Sequence, residues 1–158
     1  MAAELKFITW SLIMLLTITA FYTDHRKMII PNRLTFGGII IGLAWHGVSS
    51  GWAGLQYALL GMLASMGFML LIYLCRGVEA GDVKFFAALG AIGGFEIGAA
   101  GMFYSLIIAG AAGIILLLHR RLRTGRGKGS GHERVQFPFM YAVLPGMICS
   151  FIMLEVPL

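Results

Sequence analysis

The chain has 158 residues, 59% of them apolar and 12% charged, with a net charge of +5 and a mean hydropathy of +0.87. A soluble domain is nearer half apolar and a quarter charged, so this composition excludes a soluble globular fold and predicts an all-α polytopic membrane protein. The length allows one transmembrane domain, 1–158, with no appended soluble module.

Apolar runs fall at roughly 5–23, 34–50, 53–75, 83–94, 97–118 and 137–156. A spanning helix needs about 20 residues at 1.5 Å rise, and tilt or neighbours allow fewer. The first run follows Lys6 but has no convincing small-x-small cleavage site and is long for a signal peptide, so it is expected to be a retained span. The run 83–94 is short and either extends back to Glu79 or forms a partial span. Merging it with 97–118 would place Gly93, Gly94 and Glu96 near the middle of one helix. A turn there is preferred, which makes six transmembrane helices.

The charges test that count. Six helices put the segments 24–33, 76–84 and 119–136 on one side of the membrane. They carry Arg26, Lys27, Arg33, Arg76, Lys84, Arg120, Arg121, Arg123, Arg126, Lys128 and Arg134, which leaves only Lys6 of the twelve basic residues elsewhere. Such asymmetry marks the cytoplasmic side, and Glu4, Glu96 and Glu155 fall on the opposite one. Both termini are therefore expected on the non-cytoplasmic side. The segment 119–136 reads as a basic, Gly-rich cytoplasmic loop with a flexible linker at 125–131. The positive charge is explained by orientation in the membrane, so no nucleic-acid partner is expected.

Between helices in lipid no hydrophobic effect operates, and small residues must bring backbones together. The 22 glycines suit that need, with Gly90-xxx-Gly94 and Ala109-xxx-Gly113 as candidate contacts. Cys75 and Cys149 lie in apolar runs without CxxC or His spacing, so neither a structural zinc site nor any other metal site is expected.

Three acids are left without a place in this topology: Asp24, Glu79 and Asp82. Each sits at the cytoplasmic end of a helix, where a carboxylate is either an ion pair in headgroup water or a functional group. Asp24 leads into Ile30-Pro31-Asn32, where proline forces Ile30 out of helical geometry. Asp82 follows Ala80-Gly81, where glycine lets the backbone bend or approach a partner closely. Two aspartates near one membrane plane suit a dyad that shares one proton, the ionised member activating water and the protonated one donating to a carbonyl.

Asp24 through Ile30-Pro31-Asn32, followed by Glu79-Ala80-Gly81-Asp82-Val83-Lys84 and Ala88-Leu89-Gly90, resembles the type IV prepilin peptidase family. The family pattern is an aspartate six residues before I-P-N, then G-x-G-D followed by Lys and A-x-L-G. Phe137-Pro138-Phe139 is similar to the family's proline-phenylalanine segment before the last helix. The resemblance implies that Asp24 and Asp82 are a catalytic pair, supported by Pro31, Asn32, Glu79, Gly81 and Lys84. It implies removal of the short basic leader of prepilins or pseudopilins at the cytoplasmic face of a bacterial or archaeal inner membrane, without metal or organic cofactor.

Two departures from the pattern matter. Glu79 stands where the family has the first glycine, three residues before Asp82. On a helix that spacing shares a face, so Glu79 either acts on Asp82 as a like charge or pairs with Arg76 or Lys84, and the ion pair is the expectation. The cytoplasmic domain with paired CxxC motifs that accompanies methyl transfer in bifunctional members is missing, so the chain resembles peptidase-only members such as those of tight-adherence (Flp-type) pili. Methyltransferase activity is not expected.

Other residues carry blander expectations. Asn32 is expected to bond Asp24 or to cap the next helix, and Lys84 to anchor at headgroups or steer Asp82. His25, beside Asp24, is expected to be incidental at a wet helix end rather than an aid to proton transfer. His46, His119 and His132 are placed at or near loops without a role. Two rival functions use the same acids. One is a proton-coupled transporter with Asp24 and Asp82 as relays, which the lack of inverted internal similarity disfavours. The other is a non-catalytic pilus or secretion assembly subunit. The oligomeric state is left open.

Overall fold

In a computed structural model, residues 2–123 and 139–155 are described. Four helices follow one another: α1 (Ala2–Lys27), α2 (Asn32–Leu74), α3 (Ala80–Arg123) and α4 (Met140–Glu155). Among the described residues the stretches Glu4–Lys27, Asn32–Leu74 and Ala80–Leu116 are long and apolar enough to cross a membrane, and α4 is a shorter apolar helix. The protein is an all-helical membrane protein, as its composition predicts.

Helices α2 and α3 have 43 and 44 residues. At 1.5 Å per residue each would reach about 65 Å, roughly twice the 30 Å hydrocarbon core. Each is broken at one glycine with left-handed backbone: Gly51 (φ 59°, ψ −139°) and Gly94 (φ 69°, ψ −168°). Glycine meets this geometry without the clash that a Cβ imposes. The chain folds back at both points. A straight helix holds residues eight apart about 12 Å from each other, yet a Cβ on Gly54 would run into the His46 carbonyl. Likewise one on Gly98 would lie 3.1 Å from Gly90 Cα. Six helical rods result: α1, the two arms of α2 (32–50 and 52–74), the two arms of α3 (80–93 and 95–123), and α4. The turn expected between 94 and 97 is therefore present, compressed to Gly94.

The first arm of α3 is the hub. Every residue from Phe85 to Gly94 is buried, including the large side chains Phe85, Phe86, Leu89 and Ile92. Neighbours pack on it from all sides, with Ile13 and Leu16 from α1, Met69 from α2, and Met140, Val143 and Met147 from α4 in the same cluster. This explains the short run 83–94. A helix wrapped by protein need not match the bilayer thickness on its own.

Backbones approach closely where side chains vanish. A Cβ on Gly61 would strike the Gly90 carbonyl and the Gly94 backbone, so the two hairpins interlock at Gly61, Gly90 and Gly94. The expected Gly90-xxx-Gly94 contact is realised there, whereas Gly113 of the second candidate pair has nothing within 4 Å. Outward positions are apolar, Val48 being 88% exposed and Phe7 75%, as lipid contact requires. Two buried hydroxyls bond their own helix, Thr17 Oγ1 donating to Ile13 O at 2.8 Å and Ser105 Oγ to Gly101 O at 2.6 Å.

Several element boundaries differ from expectation. Asp24–Lys27 and Ala80–Lys84 are helical rather than loop. His119–Arg123 extend α3, while the rest of the expected loop 119–136, the linker 125–131 and Phe137-Pro138 lie outside the described residues. His46 is inside α2, not in a loop. Its Nε2 bonds the Ile92 carbonyl at 2.8 Å, satisfying a group next to the point where the α3 ladder breaks.

Candidate active site

Asp24 stands in the last turn of α1 and Asp82 in the first turn of α3. Both side chains are buried, at 8% and 5% exposure. Each acid is thus held under the protein surface by its helix. Asp24, Glu79 and Asp82 lie within electrostatic reach of one another. The fold therefore brings together all three acids that the topology left over.

A backbone amide serves Asp82, the Glu79 N–H donating to Asp82 Oδ2 at 3.1 Å. On the other side, the Met140 backbone lies near enough to the Asp24 carboxyl to act on it. Met140 opens α4, whose first internal bonds run from Ala142 and Val143 to the Phe139 carbonyl. Its N–H is thus one of the donors that every helix start leaves free. Among the described residues Asp24 Oδ2 is buried without a hydrogen-bond partner. An unsatisfied buried oxygen costs about 1–3 kcal/mol.

The two sequence motifs meet. Ile30, buried before Pro31, sits over Gly81, where an added Cβ would meet its side chain at 3.6 Å. That is ordinary contact, so close approach is not what requires glycine at 81. Pro31 takes the N-cap position of α2 with extended backbone (φ −66°, ψ 134°) and offers no side-chain cap. Asn32 neither caps the helix nor bonds Asp24, as had been expected. Its Oδ1 accepts from Lys84 Nζ at 2.9 Å, and the ammonium also lies 5.9 Å from the Phe36 ring centre. The expected ion pair of Glu79 with Arg76 or Lys84 is not formed. Among the described residues the ion pair is Lys6–Glu155 at 3.5 Å, at the opposite end of the bundle.

A cavity of about 1160 Å³ opens beside Asp82, lined also by Glu79, Arg76, Leu106, Gly110 and Phe139. It gives the Asp82 carboxyl a route to the outside between the second arms of α2 and α3. Among the described residues no group of three or more His, Cys, Asp or Glu side chains is arranged to hold a metal ion.

Sequence reasoning missed two participants. His25 was treated as incidental, yet Tyr141 Oη and His25 Nδ1 are 2.6 Å apart. Nothing local marks Tyr141, and only its helix position next to Met140 connects it to Asp24.

A model of the type IV leader peptidase family matches residues 11–118, which include both aspartates. The chain belongs to the type IV leader peptidase family. It is also 31% identical over 145 residues to the prepilin leader peptidase/N-methyltransferase of Bacillus subtilis (strain 168), an alignment covering 89% of this chain and 53% of that protein. The chain thus spans about half the length of the curated relative it matches. That relative's name includes a methyltransferase, so the likeness gives no support to the expectation that methyl transfer is absent. No solved structure matches the chain.

Proposed function

We propose that this protein is an intramembrane aspartic endopeptidase that removes the leader peptide of prepilin-like proteins, with Asp24 and Asp82 as its catalytic pair. The observation that carries the reading is the burial, within electrostatic reach, of two aspartates from different helices, in a chain of the leader peptidase family.

The chemistry needs no more than the pair. Two neighbouring carboxyls hold one proton between them. The ionised member takes a proton from a water, whose oxygen attacks the scissile carbonyl carbon. The protonated member donates to the carbonyl oxygen. Collapse of the tetrahedral adduct breaks the C–N bond as the first member passes the proton it took from water to the leaving amine and the second takes one back from the adduct's hydroxyl. The Glu79 amide holds the Asp82 carboxyl in place, while Pro31, Asn32, Gly81 and Lys84 join the segments that carry the pair.

The six rods are six transmembrane helices in this reading, with both termini outside and the aspartates near the cytoplasmic face. In support, Arg26, Lys27, Arg33, Arg76 and Lys84 flank the helix ends that carry Asp24 and Asp82. Lys6 and Glu155, near the two termini, pair at the other end. The positive-inside rule then orients the bundle.

A gel-shift assay of leader removal from a prepilin co-expressed in membranes tests the proposal. Wild type cleaves, while Asp24→Asn and Asp82→Asn, at equal membrane levels, each lose roughly 10²-fold or more. Cleavage that survives both substitutions sinks the aspartic mechanism.

A further inference from the structure

We propose that Tyr141 and His25 form a latch that presses the first turn of α4 onto the end of α1 and so holds the start of α4 against the Asp24 carboxyl. The inference rests on the reading of Asp24 as one of the catalytic pair. It makes Tyr141 and His25 positioning residues, since neither touches the substrate in this account.

Two adjacent residues on each helix carry the argument. Asp24 and His25 follow one another in the last turn of α1, and Met140 and Tyr141 in the first turn of α4. Met140 is fully buried, with its backbone near the Asp24 carboxyl. Tyr141 reaches over the rim, and its hydroxyl meets His25 Nδ1 at 2.6 Å. A phenolic O–H donating to Nδ1 leaves the imidazole proton on Nε2. Phe21, one turn before His25, stacks on the imidazole with ring centres 6.3 Å apart and planes 7° apart. It also packs edge-on to Tyr141 at 4.9 Å.

The latch has a physical need to meet. The Met140 amide is a terminal helix donor with no helical carbonyl to fix it, and helix ends fray unless docked. Among the described residues the Asp24 carboxyl already has one oxygen without a partner. Fraying of this turn would change the surroundings of that carboxyl and so how it shares its proton. The Tyr141 hydroxyl and the Phe21 ring hold that turn from outside.

The test uses the full chain in membranes with a prepilin substrate. Steady-state cleavage is measured for Tyr141→Phe, His25→Leu, their double variant and His25→Asn. Hydrogen exchange of segment 139–143 is followed by mass spectrometry in the same proteins. Tyr141→Phe and His25→Leu should each lower kcat about fivefold with KM little changed, the worth of one net hydrogen bond. The double variant should also lose about fivefold, because both changes remove one interaction. His25→Asn, whose side-chain oxygen accepts near the Nδ1 position, should return most of the loss. Exchange at the start of α4 should quicken in the variants that lose activity. Unchanged kcat in Tyr141→Phe, or losses that multiply in the double variant, overturn the latch. A wild type that does not cleave counts against the peptidase reading instead. The exchange data then decide the latch alone, with unaltered exchange in Tyr141→Phe overturning it.

Discussion

Lys84 Nζ donates to Asn32 Oδ1 at 2.9 Å, which ties the start of α2 to the first turn of α3. Asn32 follows Pro31 and Lys84 lies two residues after Asp82, so this bond staples the two motifs across the candidate site. The pair is exposed, which limits its worth to about 1 kcal/mol or less. Lys84→Met and Asn32→Leu should each lower thermal stability in detergent by about that amount, and the double variant by no more. Additive losses would mean that the two side chains act separately.

Glu79 contributes through its backbone. Its N–H bonds Asp82, while its side chain makes no ion pair with Arg76 or Lys84. Glu79→Gln should therefore shift stability by less than about 0.5 kcal/mol, as surface changes usually do. Glu79→Gly should cost about 0.5–1 kcal/mol through added freedom in the unfolded chain. A larger loss in Glu79→Gln, read by thermal unfolding, would reinstate the ion pair.

The glycines divide by what surrounds them. Gly61→Ala must push apart two backbones at Gly90 and Gly94 and should destabilise by about 3 kcal/mol. Gly67, helical and with nothing within 4 Å, should tolerate alanine or gain about 0.5–1 kcal/mol from it. Denaturation in mixed micelles separates the two cases. Equal effects would mean that the hairpins do not interlock at Gly61.

His46 satisfies the Ile92 carbonyl beside the break at Gly94. His46→Leu should leave that carbonyl unpartnered and cost about 1–3 kcal/mol. His46→Gln, which keeps a donor, should recover part of it. Thermal unfolding of the two variants in detergent reads the difference, and equal loss in both would show that the imidazole matters for packing rather than for its hydrogen bond.

Orientation is tested by thiol labelling. Cys75 is exposed beside the α2–α3 connection, at the end of the bundle that carries Asp82. Ser49 is exposed next to the Gly51 turn, at the other end. In a Cys149→Ser background, Cys75 should react with an impermeant reagent only from the cytoplasmic side. In a further Cys75→Ser variant, Ser49→Cys should react only from the opposite side. Labelling of both from one side would break the six-span topology.

Much of this architecture was legible along the chain. The turn between the short run 83–94 and the next was inferred from Gly93, Gly94 and Glu96, and the backbone reverses at Gly94. The separation of 34–50 from 53–75 likewise corresponds to the reversal at Gly51. Asp24, Glu79 and Asp82 stood out because acids are scarce in so apolar a sequence. The partners of individual polar groups were less accessible. Asn32 was assigned to Asp24 or to a helix cap and is bonded to Lys84. His46, placed at or near a loop without a role, is bonded to Ile92.

The sequence by itself determined the solvent of this protein, the points where its long helices break and the acids that stand apart in it. Each of these follows from local properties: hydropathy over some twenty residues, glycine at a break, charge at a helix end. The tertiary structure decided which groups meet. Helices that are apolar all round carry no amphipathic stripe to announce their inner face. Their facing is set by where small residues let backbones close, as at Gly61 and Gly90. Only that packing brings Met140 and Tyr141 of the last helix to Asp24 and His25 of the first.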